Sequence, residues 1–154
     1  MALADLLQPD AIIPALKVNS KKQLLQELAA KASKLIGVPE REIFDVILQR
    51  ERLGSTGVGN GIAIPHGKLN SIPTIRGLFA RLETPVDFEA IDDEPVDLVF
   101  LLLAPEGAGA DHLKALSRIA RVLRDQDLVA KLRATDSAGA IYTFLNEDHA
   151  SNAA

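Results

Sequence analysis

The chain has no cysteine. A disulfide framework and a thiolate zinc site are therefore excluded, and a reducing cytoplasm is the expected setting. There is no excess of positive charge, since the formal net charge is −4. Nucleic acid and anionic membrane surfaces thus have no electrostatic case as partners. No long hydrophobic run is present either. The longest fully apolar stretch, Leu98 to Ala104, is far short of the ~20 residues that span a bilayer. The N-terminus carries Asp5 and Asp10 and no basic region, which is not the pattern of a signal peptide. Internal repeats and low-complexity linkers are missing too. A chain of 154 residues, 47% hydrophobic and 25% charged, has an ordinary soluble balance and can hold one proper core. We expect a single domain over 1–154, folded from about 6 to 146.

What is present is concentrated in one run, Gly54-Ser55-Thr56-Gly57-Val58-Gly59-Asn60-Gly61-Ile62-Ala63-Ile64-Pro65-His66-Gly67-Lys68. It holds five of the ten glycines and one of three histidines. Glycines at that density let the backbone approach a ligand and point N–H groups at an anion. Ile62-Ala63-Ile64 reads as a short buried strand. Pro65 stiffens its end, so His66 is presented at a fixed angle beside Gly67 and Lys68. Three nucleotide-binding patterns fail on spacing. For a P-loop starting at Gly61, the second glycine position is His66 and the residue after the lysine is Leu69. For G-x-G-x-x-G starting at Gly57 or Gly59, the third glycine position is Ile62 or Ile64, and a kinase glycine loop fails alike.

The surrounding chain alternates strand and helix signals. Ile12–Leu16 reads as an edge strand, because it contains Pro14. Ser20 and Gln23 form an S-x-x-Q capping box before a helix whose buried face is Leu24, Leu25, Leu28, Ala32 and Leu35. Gly37 caps its end, and Pro39 opens a second helix with the stripe Ile43, Phe44, Ile47 and Leu48. Arg50 lies in the last turn of that helix; Glu51 and Arg52 read as solvated. Ile75–Leu82 is a strand, Glu83-Thr84-Pro85 a turn, and 86–95 acidic and irregular. Val96–Ala104 has the pattern of a central strand buried on both faces. Asp111 then reads as the cap of a long helix with Leu113, Leu116, Ile119, Ala120 and Leu123 on its core face. Further helices follow near Asp127–Arg133 and after the cap Ser137. The alternation predicts an α/β layered domain.

Chemistry centres on His66. Neutral imidazole is a good nucleophile near pH 7 and can take a phosphoryl group. Arg50 reads either as a cation facing the helix dipole or as a planar fork for phosphate oxygens. Ser55 and Thr56 offer hydroxyls, or equally are turn residues bonding their own backbone. Asn60 suits a positive φ, and Lys68 reads as solvated. His112, in the first turn of its helix, is disfavoured as a cation by the dipole. Glu89, Asp92 and Asp93 form an acidic patch without metal-ligand spacing, so no metal and no cofactor are expected. His149 reads as an idle tail residue.

The run GSTGVGNGIAIPHGK closely resembles the phosphorylation site of enzyme IIA components of the bacterial phosphotransferase system, in the fructose/mannitol/nitrogen class. The nitrogen-regulatory branch is the nearest. The resemblance continues through Thr84–Asp92, Pro95–Phe100 and Asp111-His112-Leu113, and covers roughly Leu6 to Asn146. It implies a mixed sheet of about five strands with helices on both faces. His66 would accept a phosphoryl group, at Nε2, from an HPr-like phosphohistidine protein. Arg50 and His112 would support it, and Ser55, Thr56, Gly57 and Gly67 would line the phosphate site. Partners would be regulatory proteins of the potassium-transport or sensor-kinase type. The alternatives are a sugar-specific IIA subunit passing phosphate to a IIB partner, and a non-catalytic regulatory binding module.

Overall fold

The strand at the centre of the molecule is the apolar run singled out above. In a computed structural model that describes residues 3–147, it is β6, Val96–Pro105. Every residue from Leu98 to Ala104 is almost wholly buried. Side chains alternate between the faces of a strand, so both faces of the sheet at β6 must be covered.

The other elements are a 3-10 turn at Leu3–Asp5, β1 (Ile12–Leu16), α1 (Lys21–Ile36), α2 (Glu40–Arg52), β2 (Gly57–Gly59), β3 (Ile62–Ala63), β4 (His66–Leu69) and β5 (Arg76–Val86). After β6 come α3 (Gly109–Val122), α4 (Gln126–Arg133) and α5 (Ala138–Asn146). The sheet is mixed and six-stranded, in the order β1-β5-β6-β3-β2, with β4 also paired to β6. β5 runs antiparallel to β6, while β3 and β4 both run parallel to it. Phe79 and Phe100 face each other across the β5–β6 ladder, edge to face with centroids 6.2 Å apart. Helices pack over this sheet as an α/β layered domain.

Several local expectations shift in detail. Ser20 caps α1 through the Gln23 amide, but the Gln23 side chain reaches back to the Asn19 amide rather than to Ser20. Gly37 ends α1 at φ 75°, a conformation that suits glycine. Pro39 stands one place ahead of α2, at its N-cap. β5 runs straight through Glu83-Thr84-Pro85, where a turn was expected. The β5–β6 register slips between Arg81 and Val86, so Pro85 sits where the ladder is already interrupted. Asp111 is not a cap: the N-cap of α3 is Ala108, and Asp111 lies in the first turn, where its charge still favours the dipole. Leu113 faces solvent, 66% exposed. The phase of α3 is set by Ala115, Ile119 and Val122, and that phase gives a core position to His112 instead. His149 lies outside the described residues. No helix among those described is long and apolar enough to cross a membrane.

Candidate functional site

His66 does not end a strand; it restarts one. β3 pairs with Leu98 and Val99 of β6, the chain breaks at Ile64-Pro65, and β4 resumes with His66 opposite Leu102. Pro65 has no N–H to give, but its carbonyl accepts from the Leu102 amide at 3.0 Å. This break leaves the Ile64 carbonyl free of the ladder. It takes the His66 ring instead, with Nδ1 2.9 Å from Ile64 O. A carbonyl oxygen only accepts, so Nδ1 carries the proton and Nε2 carries the lone pair. Consistently, the Arg50 Nε–H donates to His66 Nε2 at 3.2 Å. A second guanidinium nitrogen, Nη1, donates to Gly54 O at 2.9 Å, which fixes the fork. The sequence thus brings a last-turn arginine of α2 onto the first residue of β4, two elements that pack directly together.

His112 completes this wall from α3. Its ring meets that of His66 edge-on, with centroids 5.5 Å apart and planes at 68°. It is only 5% exposed, and its Nδ1 is buried without a hydrogen-bond partner. Burial holds both histidines below the usual imidazole range. At His66 the bond to Ile64 O opposes this, and the Arg50 charge adds to it. At His112 the further causes are His66 and Lys68. Burial, followed by the His66 and Lys68 charges, is what disfavours the His112 cation.

Together these side chains line an open cavity of about 830 Å³. Gly67 belongs to its floor, and a Cβ there would run into Val46 Cγ1. Only glycine leaves that space. Lys68 and Arg52 add positive charge to the wall, and Leu53 and Leu113 form an exposed apolar rim.

Ser55, Thr56 and Gly57 do not line this cavity. Ser55 Oγ donates to Phe88 O at 2.7 Å and accepts from the Gly57 amide at 3.0 Å. Thr56 is buried, and both its amide and its hydroxyl donate to the Glu51 carboxylate. The Gly54 amide is bonded to Glu51 O. These groups are spent on the fold, and the glycine run is not an open nest of amides. Gly57 is required because a Cβ would stand 2.8 Å from Ala90 Cβ.

Glu51 is the residue that sequence reasoning misplaced. It is 7% exposed and forms an ion pair with Lys21 at 3.0 Å. A signal existed: a carboxylate in the last turn of a helix is opposed by the dipole, so a tertiary partner is called for. Arg52 is exposed as expected. Asn60 does adopt a positive φ, 58°. Among the described residues, Glu89, Asp92 and Asp93 join no group of three or more metal-ligand side chains.

Comparison with known proteins bears on the family and the fold. The family described as "Phosphoenolpyruvate-dependent sugar phosphotransferase system, EIIA 2" matches residues 5–148. A nitrogen regulatory protein of Bradyrhizobium diazoefficiens is 68% identical over 145 residues, covering 94% of this chain and 95% of that one. The nitrogen regulatory protein of Escherichia coli is 41% identical over 149 residues, covering 96% and 91%. The crystal structure of nitrogen regulatory protein IIA-Ntr from Neisseria meningitidis superposes with a TM-score of 0.88 at 34% identity, covering 93% of this chain and 98% of that one. A full-length match of this kind, around a histidine presented at a broken strand, means that the chain belongs to the EIIA 2 family of the phosphotransferase system.

Proposed function

We propose that the chain is a cytoplasmic phosphocarrier whose His66 Nε2 takes a phosphoryl group from an HPr-like phosphohistidine protein and hands it on. The observation that carries this is the split of the His66 ring. Nδ1 is held by Ile64 O, Nε2 accepts from Arg50, and both residues line the cavity. In the forward step the Nε2–P bond forms as the donor's N–P bond breaks. The donor imidazole leaves with the electron pair of that bond. The proton stays on Nδ1, which donates to Ile64 O throughout, so no proton moves at His66. As phosphorus approaches, the Arg50 Nε–H gives up the lone pair, and the fork meets the phosphoryl oxygens instead. His112 presses on the ring edge and keeps its orientation. Because burial keeps His66 neutral, the nucleophile persists somewhat below the usual pKa of 6.5. The apolar rim at Leu53 and Leu113 gives a visiting protein a surface that excludes water from the labile phosphoramidate.

The nitrogen-regulatory relatives favour a role in which phosphorylation state selects regulatory partners, of the potassium-transport or sensor-kinase type. The test is incubation with phosphoenolpyruvate, enzyme I and an HPr-type carrier. One added phosphoryl mass is expected, lost in mild acid and absent in His66→Ala. Incorporation that survives this substitution puts the site elsewhere. Efficient onward transfer to a fructose or mannitol IIB protein would move the role to sugar uptake.

A further inference from the structure

Arg50 and Glu51 are consecutive in the last turn of α2, and their side chains reach the same imidazole by different routes. Arg50 goes directly: its Nε–H donates to His66 Nε2. Glu51 goes to the other nitrogen, through backbone. Its Oε1 accepts the Thr56 amide at 3.1 Å, and its Oε2 accepts the Thr56 hydroxyl. The Thr56 carbonyl accepts the Ile64 amide at 3.0 Å. The Ile64 carbonyl accepts the His66 Nδ1–H at 2.9 Å. Carboxylate, Thr56, Ile64 and imidazole thus stand in one unbroken line of hydrogen bonds. The middle link extends the β2–β3 pairing, in which Gly57 faces Ala63, by one more rung. Past that rung the chain breaks at Pro65. The direction of the Ile64 carbonyl therefore depends on how the amide end of Ile64 is held.

The carboxylate at the head of this line has little freedom. Glu51 is buried and paired with Lys21, whose Nζ lies 4.5 Å from the centre of the Phe88 ring. Burying a charge is costly, and a neutral glutamine oxygen would accept the Thr56 amide as well. The charge has a use at the far end of the line. When Nε2 bonds to phosphorus and Nδ1 keeps its proton, the ring gains a formal positive charge. Burial, the largest influence, and Arg50 disfavour a cationic His66 ring, whereas the Ile64 bond and the Glu51 charge favour it.

We propose that Glu51 is a positioning residue for the phosphoryl acceptor: through Thr56 it aims the Ile64 carbonyl, and so holds His66 in the tautomer whose Nε2 is free. This rests on the reading of His66 as phosphoryl acceptor. Neither Glu51 nor Thr56 touches the reacting atoms. Their carboxylate charge also offsets the positive charge that develops on the ring as the Nε2–P bond forms and the donor's N–P bond breaks.

The experiment uses the full chain and Glu51→Gln, which keeps the size of the side chain and one acceptor oxygen but removes the charge. Nitrogen NMR of the labelled His66 ring, at mildly alkaline pH and without phosphate, reads the tautomer. The wild-type ring should be wholly Nδ1–H, and the variant ring should show a measurable share of Nε2–H. Phosphorylation of His66 by phosphoramidate, a small donor that needs no partner protein, should slow about tenfold or more, the usual size of effect for a group that orients a reacting side chain at one remove. Leu145→Ala, in the core under α5, is the control for lost stability alone and should keep the wild-type tautomer. If Glu51→Gln does not fold, Thr56→Val decides, because it cuts the hydroxyl bond and leaves the carboxylate in place; Thr56→Ser should then restore the wild-type ring. A pure Nδ1–H ring in the deciding variant overturns the proposal. So does an equal tautomer change in Leu145→Ala, or a mixed ring that is phosphorylated at the wild-type rate. The tautomer is read without any phosphoryl transfer, so the two claims separate. A wild-type chain that takes no phosphoryl group at His66 sinks the acceptor reading, while a mixed ring in the variant still supports the positioning role.

Discussion

Two neighbouring residues at the end of α2 point into two different worlds. Arg50 turns toward the back of the glycine-rich run, where His66, Gly67 and Lys68 face an open cavity. Glu51 turns toward its front, where it accepts from Thr56 and pairs with Lys21. The front spends the Ser55 and Thr56 hydroxyls and the Gly54, Thr56 and Gly57 amides on the fold. The back bonds a guanidinium to an imidazole lone pair and, among the described residues, leaves the buried His112 Nδ1 without a partner. One motif therefore does two jobs. A closed hydrogen-bonded network at the front stands beside the cavity-lining groups at the back.

The largest expected effect breaks the front. Glu51→Ala removes the nearer carboxylate of Lys21, leaving it Glu89 at 3.5 Å, and unties both Thr56 donors, so stability should fall by ~3–5 kcal/mol, as for other pairs broken in the interior. Lys21 keeps some contact with water, its side chain being 16% exposed, which puts the loss toward the lower end. Urea unfolding measures it; a loss below ~1 kcal/mol would show that the network is not what holds the run. Next comes the back. Arg50→Ala should slow phosphoryl incorporation by ~10²–10³-fold, as when a transition-state donor is removed, with the urea midpoint little changed. An unaltered rate would remove Arg50 from the phosphate site. The smallest effect concerns pH. Both histidines have folded pKa values below the unfolded value of 6.5. The unfolded chain then binds protons first, so stability should decline as pH falls through 6.5 and level off once the folded groups also protonate. His112→Gln should flatten part of that slope and His66→Gln the rest. A slope indifferent to both would mean that burial does not set these ionisations.

Much of this was legible in advance, for a physical reason in each case. The β6 run could be read because a strand covered on both faces has no polar position to spare. The His66 site could be read because proline and glycine restrict or free the backbone locally, whatever surrounds them. Gly37 and Ser137 announced helix ends through side chains or conformations that act within a few residues. What stayed hidden was set by contacts distant in the chain. Glu51 looks solvated until Lys21, thirty positions earlier, folds over it. Leu113 and His112 are adjacent, and only the packing of Ala115 and Ile119 against β6 decides which of them is buried. Glu83-Thr84-Pro85 has turn chemistry, yet a slipped register lets β5 pass through it.

The amino-acid sequence by itself determined the central strand, the alternation of strand and helix, and the presentation of one imidazole beside a rigid proline. These depend on local sterics and on side-chain periodicity. The tertiary structure alone decided which nitrogen of that imidazole is free, by turning an unpaired Ile64 carbonyl onto the other. It also decided that Arg50 rather than the Ser55 and Thr56 hydroxyls shares the cavity. Hydrogen bonds go to whichever partners folding brings within about 3 Å, and no spacing along the chain encodes that distance.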